Sequence, residues 1–564
     1  MKKNLKLAGM TLLSCIVFAV ASCGDDSEET VVALQSITIE QGATAELGVD
    51  QTQQLNAVKA PENATTDGDI LWFSTNEAVA TVSASGLVKG VGEGTADITA
   101  TLGGKTARIT FTVTRTLVSQ ILDLGDGSNE YEIREDLTLA YPNIYNLKGF
   151  VYVVAGATLT IEPGVVVKGD KASKGTLIVE RGGQIIAQGT KERPIVFTSA
   201  QAPGNRKPGD WGGLILLGNA PNNMGEQTIE GGVRSKHGGL NPNDNSGVLS
   251  YVRIEFAGIE YSTDNEINGV TFGSVGSGTK IDHLQVSYSG DDSFEWFGGS
   301  VDAKYLVAYC GWDDDFDTDN GFSGKVQYAF GLRDPQTGDK SASNGFESDN
   351  NAAGSATDPY TGAVFANVSL FGPVADPAAY TDRAGVNGST VDARFQAALH
   401  LRRNTQLSIF NSVIAAFPIG IIIENDKGST TQQWAEDGKL VIANCYLAGA
   451  IKNFQNAQYW KESTIFNPDD AGSFVDSYFN RADGGNRIAT IADLKFSGNP
   501  LSLASPDAFP ASGSPLASGA SWSNAKVSSG FDKVGYIGAF GPDETASNNW
   551  TSGWCNFDPQ NTAY

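Results

Sequence analysis

Acidic side chains recur at a regular spacing in the middle of the chain. They cluster at residues 291–297, 313–319 and 344–349. The carboxylates of this acidic ladder belong to Asp291, Asp292, Glu295, Asp313, Asp314, Asp315, Asp317, Asp319, Glu347 and Asp349. If the clusters lie on successive coils about 4.8 Å apart, their charges repel each other unless a cation neutralises them. Calcium takes roughly six to eight oxygen ligands in irregular geometry, so the ladder predicts a calcium site.

Two other interpretations of the acidic ladder stay open. A solvated acidic face, with some Asp and Asn residues making turns, needs no ligand. Clustered carboxylates can also serve as general acid and base in the cleavage of sugar chains. A lyase would add a basic proton acceptor, for which Arg394, Arg402 and Arg403 are the candidates. The chain has only 3 histidines, so a histidine-rich transition-metal site is not expected.

Aromatic residues flank the acidic ladder. Trp296 and Trp312 are the two tryptophans closest to it in sequence. Sugars stack on exposed aromatic rings, so these two residues are candidates for ligand binding. The competing interpretation is that the rings pack in the core or in turns.

Short apolar runs at one interval predict the element that positions these side chains. Residues 284–288, 306–310 and 328–332 align at steps of 22, since 284 plus 22 is 306 and 306 plus 22 is 328. The resulting columns are Leu284, Leu306 and Tyr328, then Val286, Ala308 and Phe330, then Tyr288, Cys310 and Leu332. Alternate residues of a strand face the same way, so we expect one inward face repeated coil after coil. The same repeat predicts that Phe294, Phe316 and Phe346 stack inside a parallel β-helix.

The repeat and its surroundings divide the chain into four predicted parts. Residues 1–22 form a signal peptide and 23–32 an acidic linker. Residues 33–115 show alternating short strands typical of a small β-sandwich. Residues 116–564 form the parallel β-helix, with caps predicted at 116–149 and at about 460–564, because an open end exposes unpaired strand edges.

The first 23 residues indicate export and lipid anchoring. Three lysines precede a short apolar run, and Val20-Ala21-Ser22-Cys23 follows it. These residues resemble a bacterial lipobox, which implies cleavage before Cys23 and acylation of its thiol. An ordinary signal peptide is the alternative. The acidic run after Cys23 resembles the surface-export signal of Bacteroidota lipoproteins, so we expect an outer-membrane, lipid-anchored protein that faces the exterior. A periplasmic orientation is the alternative.

The later cysteines predict no disulfide framework. Cys310, Cys445 and Cys555 are odd in number and far apart. Cys310 and Cys445 fall within predicted strands, where we expect buried thiols. Whether the three thiols are free is not decided by the spacing.

Family resemblances extend over most of the chain. Segments 72–76, 79–82, 85–90 and 94–100 resemble, in that order, the bacterial Ig-like group 2 domain, whose members serve as spacers and adhesion modules. Segments 157–164, 189–198 and 209–214 resemble pectate-lyase-like right-handed β-helices. The ending at 535–554 resembles a group of β-helix lipoproteins from Bacteroidota and spirochaetes. The implied fold class is therefore all-β, an N-terminal Ig-like β-sandwich followed by a right-handed parallel β-helix.

A resemblance to polygalacturonases is limited to two short motifs. Asp317-Thr318-Asp319 and Gly290-Asp291-Asp292 are similar to their acidic motifs, but they occur in the opposite order. Neither a Gly-His-Gly nor an Arg-Ile-Lys element accompanies them. The departures weigh against a hydrolase of that kind.

Together these features favour a non-catalytic cell-surface lipoprotein that presents a β-helix to a glycan, a ligand or a partner. One alternative is a calcium-dependent polysaccharide lyase or hydrolase. Another is an accessory subunit of an outer-membrane β-barrel transporter complex. The formal net charge of −25 argues against nucleic acid as a partner.

Overall fold

A computed structural model of the chain describes residues 31–114, 119–263, 265–377, 391–456 and 473–564. The predicted signal peptide (1–22), the lipidation site Cys23 and the linker as far as residue 30 lie outside the described residues. Two compact units divide between residues 117 and 118. The fold is nearly all β, as predicted. Within the described ranges, no helix is both long enough and apolar enough to cross a membrane.

The N-terminal unit is a small β-sandwich. Its strands are β1 (Ser36–Ile39), β2 (Thr44–Gly48), β3 (Thr52–Gln54), β4 (Ala57–Ala60), β5 (Leu71–Ser74), β6 (Ala80–Val82), β7 (Leu87–Gly90), β8 (Gly94–Leu102) and β9 (Lys105–Thr114). They form sheets in the orders β2-β9-β8-β5, β3-β7-β6 and β1-β4. Alternation along β8 and β9 buries Ile98, Ile109 and Phe111 completely, which gives the unit its own core.

The second unit is a parallel β-solenoid built mainly from two sheets. Among the described residues, the first sheet has 17 strands: β10 (Ile121–Leu124), β12 (Leu137–Leu139), β13 (Ile144–Leu147), β15 (Thr158–Ile161), β16 (Val166–Gly169), β18 (Gln184–Gln188), β19 (Ile195–Ser199), β23 (Gly247–Glu255), β27 (Lys280–Ser287), β29 (Ala303–Tyr309), β31 (Lys325–Leu332), β33 (Val364–Phe371), β35 (Ser408–Phe410), β36 (Val413–Ala415), β38 (Ile442–Ala443), β39 (Tyr446–Ala448) and β41 (Arg487–Ala489).

The second sheet of the solenoid carries the acidic ladder. Its 11 described strands are β11 (Tyr131–Ile133), β14 (Phe150–Val153), β17 (Thr176–Val179), β20 (Leu214–Leu217), β26 (Val270–Val275), β28 (Phe294–Gly299), β30 (Phe316–Asp319), β32 (Phe346–Ser348), β34 (Ala397–Leu401), β37 (Ile419–Ile423) and β40 (Lys452–Gln455). Residues 119–149, predicted as a cap, instead contribute strands to the first coils of both sheets.

Smaller elements lie in the connections. They are the hairpin strands β21 (Gln227–Thr228) with β22 (Lys236–His237) and β24 (Glu260–Ser262) with β25 (Asn265–Glu266), the helices α1 (Thr431–Glu436) and α2 (Phe474–Phe479), and the 3-10 turns Asp426–Gly428, Ala492–Leu494, Pro515–Ala517 and Ala525–Val527. The β21–β22 hairpin lies in the long connection that leads from β20 of the second sheet to β23 of the first.

The predicted register of the first sheet is right for one coil and wrong for the next. Leu284 pairs with Leu306, as predicted, but Leu306 pairs with Ala329 rather than with Tyr328. The second coil is therefore 23 residues long, and Phe330 and Leu332 face outward instead of inward. Phe297 and Asp319 keep the spacing of 22. The extra residue thus lies in the turn between Asp319 and β31.

The C-terminal segment lies along the solenoid rather than at its end. Residues 520–564, here called the C-terminal strap, cover the outer face of the first sheet. Two side-chain amides of the sheet anchor it. The amide of Gln285 donates to the main-chain carbonyl of Asn556 and accepts from its N–H, both at 2.8 Å. The amide of Gln327 makes the same two bonds with the main chain of Asp532. Phe330 and Leu332 are buried beneath the C-terminal region. An end cap was predicted over about 460–564. For residues 520–564 that prediction is corrected, because they lie along the first sheet and not at the end of the solenoid.

Cys310 and Cys445 are buried free thiols, as predicted. Burial raises the pKa of Cys445 to about 12, so its thiol stays protonated. Cys555 is also free and is partly buried.

Candidate metal centre

Side chains alternate along the strands of the second sheet and form two columns, one of buried phenylalanines and one of carboxylates. Phe294, Phe316 and Phe346 point inward, with ring centroids 5.5 and 5.0 Å apart. All three are completely buried. The residue that follows each of them points the other way, so Glu295, Asp317 and Glu347 are direct neighbours in the parallel register. The sequence predicted both columns.

A second row of polar side chains lies just before the same strands. The Asp292 carboxylate accepts a hydrogen bond of 2.8 Å from the main-chain N–H of Asp314. Asp314 in turn accepts from the N–H of Asn344, whose side-chain oxygen accepts from Ala397 at 3.1 Å. Each side chain thus holds the next coil in place. Part of the acidic ladder therefore has a structural role, in agreement with the turn interpretation.

Seven carboxylates of the ladder come together in three overlapping groups. The groups are Asp291 with Asp292 and Asp313, Asp292 with Glu295 and Asp317, and Asp314 with Asp317 and Glu347. Within each group, one oxygen of every residue lies within 4.8 Å of the others. A cation coordinated at about 2.3–2.6 Å needs its oxygens at such mutual distances. The arrangement offers oxygen ligands only, which suits a hard cation such as calcium.

The electrostatics of these groups are unfavourable without a positive charge. Burial, and then repulsion from neighbouring carboxylates, raises the pKa of Asp291, Asp292, Glu295, Asp314 and Asp317 well above the usual range. One buried oxygen each of Asp313 and Asp317 has no hydrogen-bond partner among the described residues. A buried carboxylate oxygen without a partner is costly, and a bound cation would satisfy it.

Asp315 belongs to an ion pair and not to the three groups, which corrects its predicted place among the metal ligands. Its Oδ1 lies 2.8 Å from Nη1 of Arg333, and both side chains are completely buried. Burial raises the pKa of Asp315 to about 6, although Arg333 acts to lower it. Asp319 also lies outside the three groups, because its side chain is in the next outward position along β30.

Two arginines meet the far end of the ladder. Arg402 contacts Glu347 and donates from Nε to Asp349 at 2.8 Å, and Arg403 donates to Asp349 at 2.5 Å. Burial acts to raise the pKa of Glu347, but Arg402 and His400 outweigh it and lower the pKa to about 2. Glu347 is thus ionised, whereas its neighbour Asp317 resists ionisation.

The sequence did not place Arg402 and Arg403 near the acids, and the third candidate lies elsewhere. Arg394 pairs with Asp392 at 2.5 Å. Asp349 is occupied by Arg402 and Arg403, so it is a partner of the arginines rather than a member of the three groups. The structure therefore corrects the prediction that Asp349 is a metal ligand.

The two candidate ligand-binding tryptophans have different environments. Trp296 is completely buried and stacks on Phe272, Phe294 and Phe322 inside the solenoid. Its predicted contact with a ligand is therefore wrong, because the ring points inward with Phe294. Trp312 is 36% exposed, and its carbonyl accepts from Arg333 at 2.9 Å. Trp312 is thus partly open to solvent and directly precedes Asp313 in the chain.

A loop adds a carboxylate that the sequence analysis missed. Glu230 and Glu295 line a cavity of about 190 Å³, together with His237 and Asn320. The charge of Glu230 contributes to the raised pKa of Asp291 and Glu295. Glu230 lies in the connection between β21 and β22, far from the ladder in sequence and without a repeat to indicate its position.

The raised pKa values predict how the stability depends on pH. Burial raises the pKa of Asp313 to about 7 and that of Asp319 to about 8, from an ordinary value of 3.8. Between about pH 4 and 8 the folded state therefore binds more protons than the unfolded state, so the free energy of unfolding falls as the pH rises. In EDTA we expect Tm to fall from pH 5 to pH 8 in thermal unfolding. The fall should be smaller in calcium, which replaces the protons. A Tm independent of pH in EDTA would contradict the electrostatic argument.

Comparison with known proteins agrees with the two units. Residues 131–486 match the family model described as a pectate-lyase-like β-helix domain, and residues 33–113 match the bacterial Ig-like domain of group 2. No curated protein matches the chain. The two domains fit a surface or carbohydrate-related protein.

Proposed function

Because the chain belongs to the pectate-lyase-like β-helix family and carries a bacterial Ig-like domain, we propose that it is a cell-surface protein that binds glycans through calcium. The observation that carries the proposal is the set of three overlapping carboxylate groups, with oxygens within 4.8 Å of one another. Asp292, Glu295 and Asp317 form the central group. When bound there, calcium would neutralise the carboxylates and accept oxygen atoms from a sugar.

Anionic glycans are the ligand class that the charges favour. The ladder alone repels a uronate or sulfate group, so the cation must bridge the two. Trp312 supplies a partly exposed indole, and its main-chain carbonyl accepts from Arg333, whose guanidinium binds Asp315. We therefore assign Trp312 to a stacking contact with one sugar ring, while the bridging cation holds the charged groups.

Binding without turnover is the favoured form of this activity. A lyase needs a base that can accept a proton. Burial acts to lower the pKa of Arg402, but the charges of Glu347 and Asp349 outweigh it and raise the pKa. An arginine held in this way keeps its proton. The contact of Arg402 with the ladder nevertheless makes a calcium-dependent lyase the second candidate function, since it places a basic group beside the carboxylates.

The proposal also includes the position of the protein in the cell. We propose that Cys23 carries the lipid anchor in the outer membrane and that the acidic residues after it direct the protein to the exterior. The Ig-like domain then serves as a spacer or an adhesion module. The motif at residues 20–23 supports this assignment.

A depletion assay tests the proposed function. The full chain is incubated with polygalacturonate, alginate or chondroitin sulfate, in calcium and then in EDTA, and both bound polymer and new chain ends are measured. We expect depletion of at least one polymer in calcium, no depletion in EDTA and no new ends. Trp312→Ala should weaken binding by about tenfold, because one aromatic contact contributes roughly 0.5–1.5 kcal/mol.

Tyr131→Ala is the matched control, since Tyr131 is an aromatic residue of similar exposure on the first strand of the same sheet. It should bind like the unaltered chain. New reducing or unsaturated ends would establish the lyase or hydrolase alternative instead. No depletion of any anionic polymer in calcium would contradict the proposal.

A further inference from the structure

A second concave surface lies on the first sheet of the solenoid. It is an open groove of about 690 Å³ formed by the end of β18, by β23, β27 and β29, and by the turns that precede β27 and β29. Tyr251, Lys280, Asp282, His283 and Tyr305 are among its lining residues. None of these belongs to the acidic ladder, which is carried by the other sheet. A groove of this volume accommodates several sugar units, since small-ligand pockets measure about 300–1,000 Å³.

A continuous stack of rings forms one wall of the groove. Tyr251 stacks on His283 with centroids 4.2 Å apart, and His283 stacks on Tyr305 at 4.4 Å. Tyr328 extends the stack at 4.9 Å, outside the groove. All four residues have a positive φ, between 50 and 63°. Bulky residues rarely adopt this backbone conformation, and here it recurs in four consecutive coils. The stack is therefore a rigid, repeated feature of the fold.

The stack ends at Tyr251, and Trp554 packs edge-on beside Tyr251 and His283, with ring centroids 5.7 and 5.6 Å away. Ser250 pairs with Gln188 and Val252 pairs with Ile195, so the chain opposite Tyr251 is the turn that begins at Gly189. Gly189 has no side chain and itself lines the groove. Tyr251 is partly buried and lines the groove, and the side of its ring away from His283 is where a planar or ring-shaped ligand would stack.

The polar groups of the groove are organised and balanced in charge. The Asp282 carboxylate accepts from Ser250 Oγ at 2.6 Å and lies 2.9 Å from His283 Nδ1 and 3.1 Å from Lys280 Nζ. The lysine side chains at 280 and 304 are 60% and 35% exposed. The groove is lined by these two lysines and by two aspartates, Asp282 and Asp302. Such a surface offers many hydrogen bonds without selecting for a net charge.

We propose that this groove binds a segment of a neutral polysaccharide, with one sugar ring stacked on Tyr251. Sugars combine apolar ring faces with many hydroxyl groups, and the groove combines an available aromatic face with hydroxyl, carboxylate and ammonium groups. Its open form leaves it accessible to a polymer. The groove needs no cation, which separates it from the calcium-dependent site on the second sheet.

Titration calorimetry of the full chain with cellohexaose, xylohexaose, mannohexaose and laminarihexaose in EDTA tests the proposal. We expect at least one of them to bind, and we expect Tyr251→Ala to weaken that binding by about tenfold through the loss of the stacked ring. Tyr328→Ala is the matched control, because Tyr328 belongs to the same stack but does not line the groove. It should bind with unchanged affinity.

Lysine footprinting provides a measurement that does not depend on the folding of a variant. Bound oligosaccharide should slow the acetylation of Lys280 by at least about twofold, as read by mass spectrometry. Lys89 of the Ig-like domain, which is 52% exposed, should react at an unchanged rate. Failure of all four oligosaccharides to bind, or binding that neither protects Lys280 nor responds to Tyr251→Ala, would overturn the proposal. Either result would leave the calcium-dependent site unaffected.

Discussion

Calcium at about 100 times its dissociation constant is expected to raise the free energy of unfolding of the solenoid by about 2.7 kcal/mol. The gain arises because the ion binds the folded carboxylate groups and not the unfolded chain. For a unit that spans residues 118–564, Tm should rise by about 3 °C between EDTA and calcium. Differential scanning calorimetry of the full chain measures the shift.

Asp317→Asn provides the critical variant for this first prediction, because Asp317 belongs to two of the three groups. The substitution removes a ligand and also a repelled charge. Its Tm should therefore rise in EDTA and should respond little to calcium. Asp123→Asn, at a partly exposed ion pair with Lys148 on the first sheet, should keep the full calcium response. An equal calcium response in both variants would contradict the assignment of the site.

Arg333→Met should lower the free energy of unfolding by about 3–5 kcal/mol. The substitution leaves the Asp315 carboxylate buried without its partner, in a place where both side chains are completely buried. Chemical denaturation followed by circular dichroism measures the loss. Since the pair adjoins Trp312, the variant should also weaken glycan binding in the depletion assay.

Arg394→Met is the matched control for this second prediction. Arg394 pairs with Asp392, but its side chain is 49% exposed. Exposed ion pairs contribute about 0–1 kcal/mol, so the loss should stay within that range. The double variant Asp315→Leu with Arg333→Met should recover much of the stability, because it removes the unpaired charge. Similar losses for Arg333→Met and Arg394→Met would contradict the role of the buried pair.

The parts of the fold that the sequence predicts are those that repeat. The spacing of 22 residues between Phe294 and Phe316 defines the coil, and the residue after each phenylalanine defines the charged column. Both columns were predicted because strand alternation needs only local sequence. The same rule, applied to Trp296 two positions after Phe294, would have placed that ring inside, whereas the aromatic pattern around the acids suggested a binding role. Alternation was the better guide at that position.

The parts that the sequence did not predict depend on contacts between distant segments. Glu230 reaches the second sheet on a long loop, and Arg402 reaches Glu347 across an insertion of irregular length. One additional residue in the turn after Asp319 shifted Phe330 and Leu332 to the outer face. The C-terminal strap has no repeat, but Gln285 on β27 and Gln327 on β31, two outward amides on strands separated by β29, were a usable signal for a segment bound there.

Direct measurement of bound calcium tests the central claim. After equilibrium dialysis of the full chain and of Asp317→Asn against micromolar calcium, elemental analysis gives the number of ions per chain. We expect at least one calcium per unaltered chain, with a loss in Asp317→Asn and no loss in Asp123→Asn. An unaltered chain that retains no calcium above the dialysis buffer would contradict it and leave the acidic ladder as a structural feature of the turns.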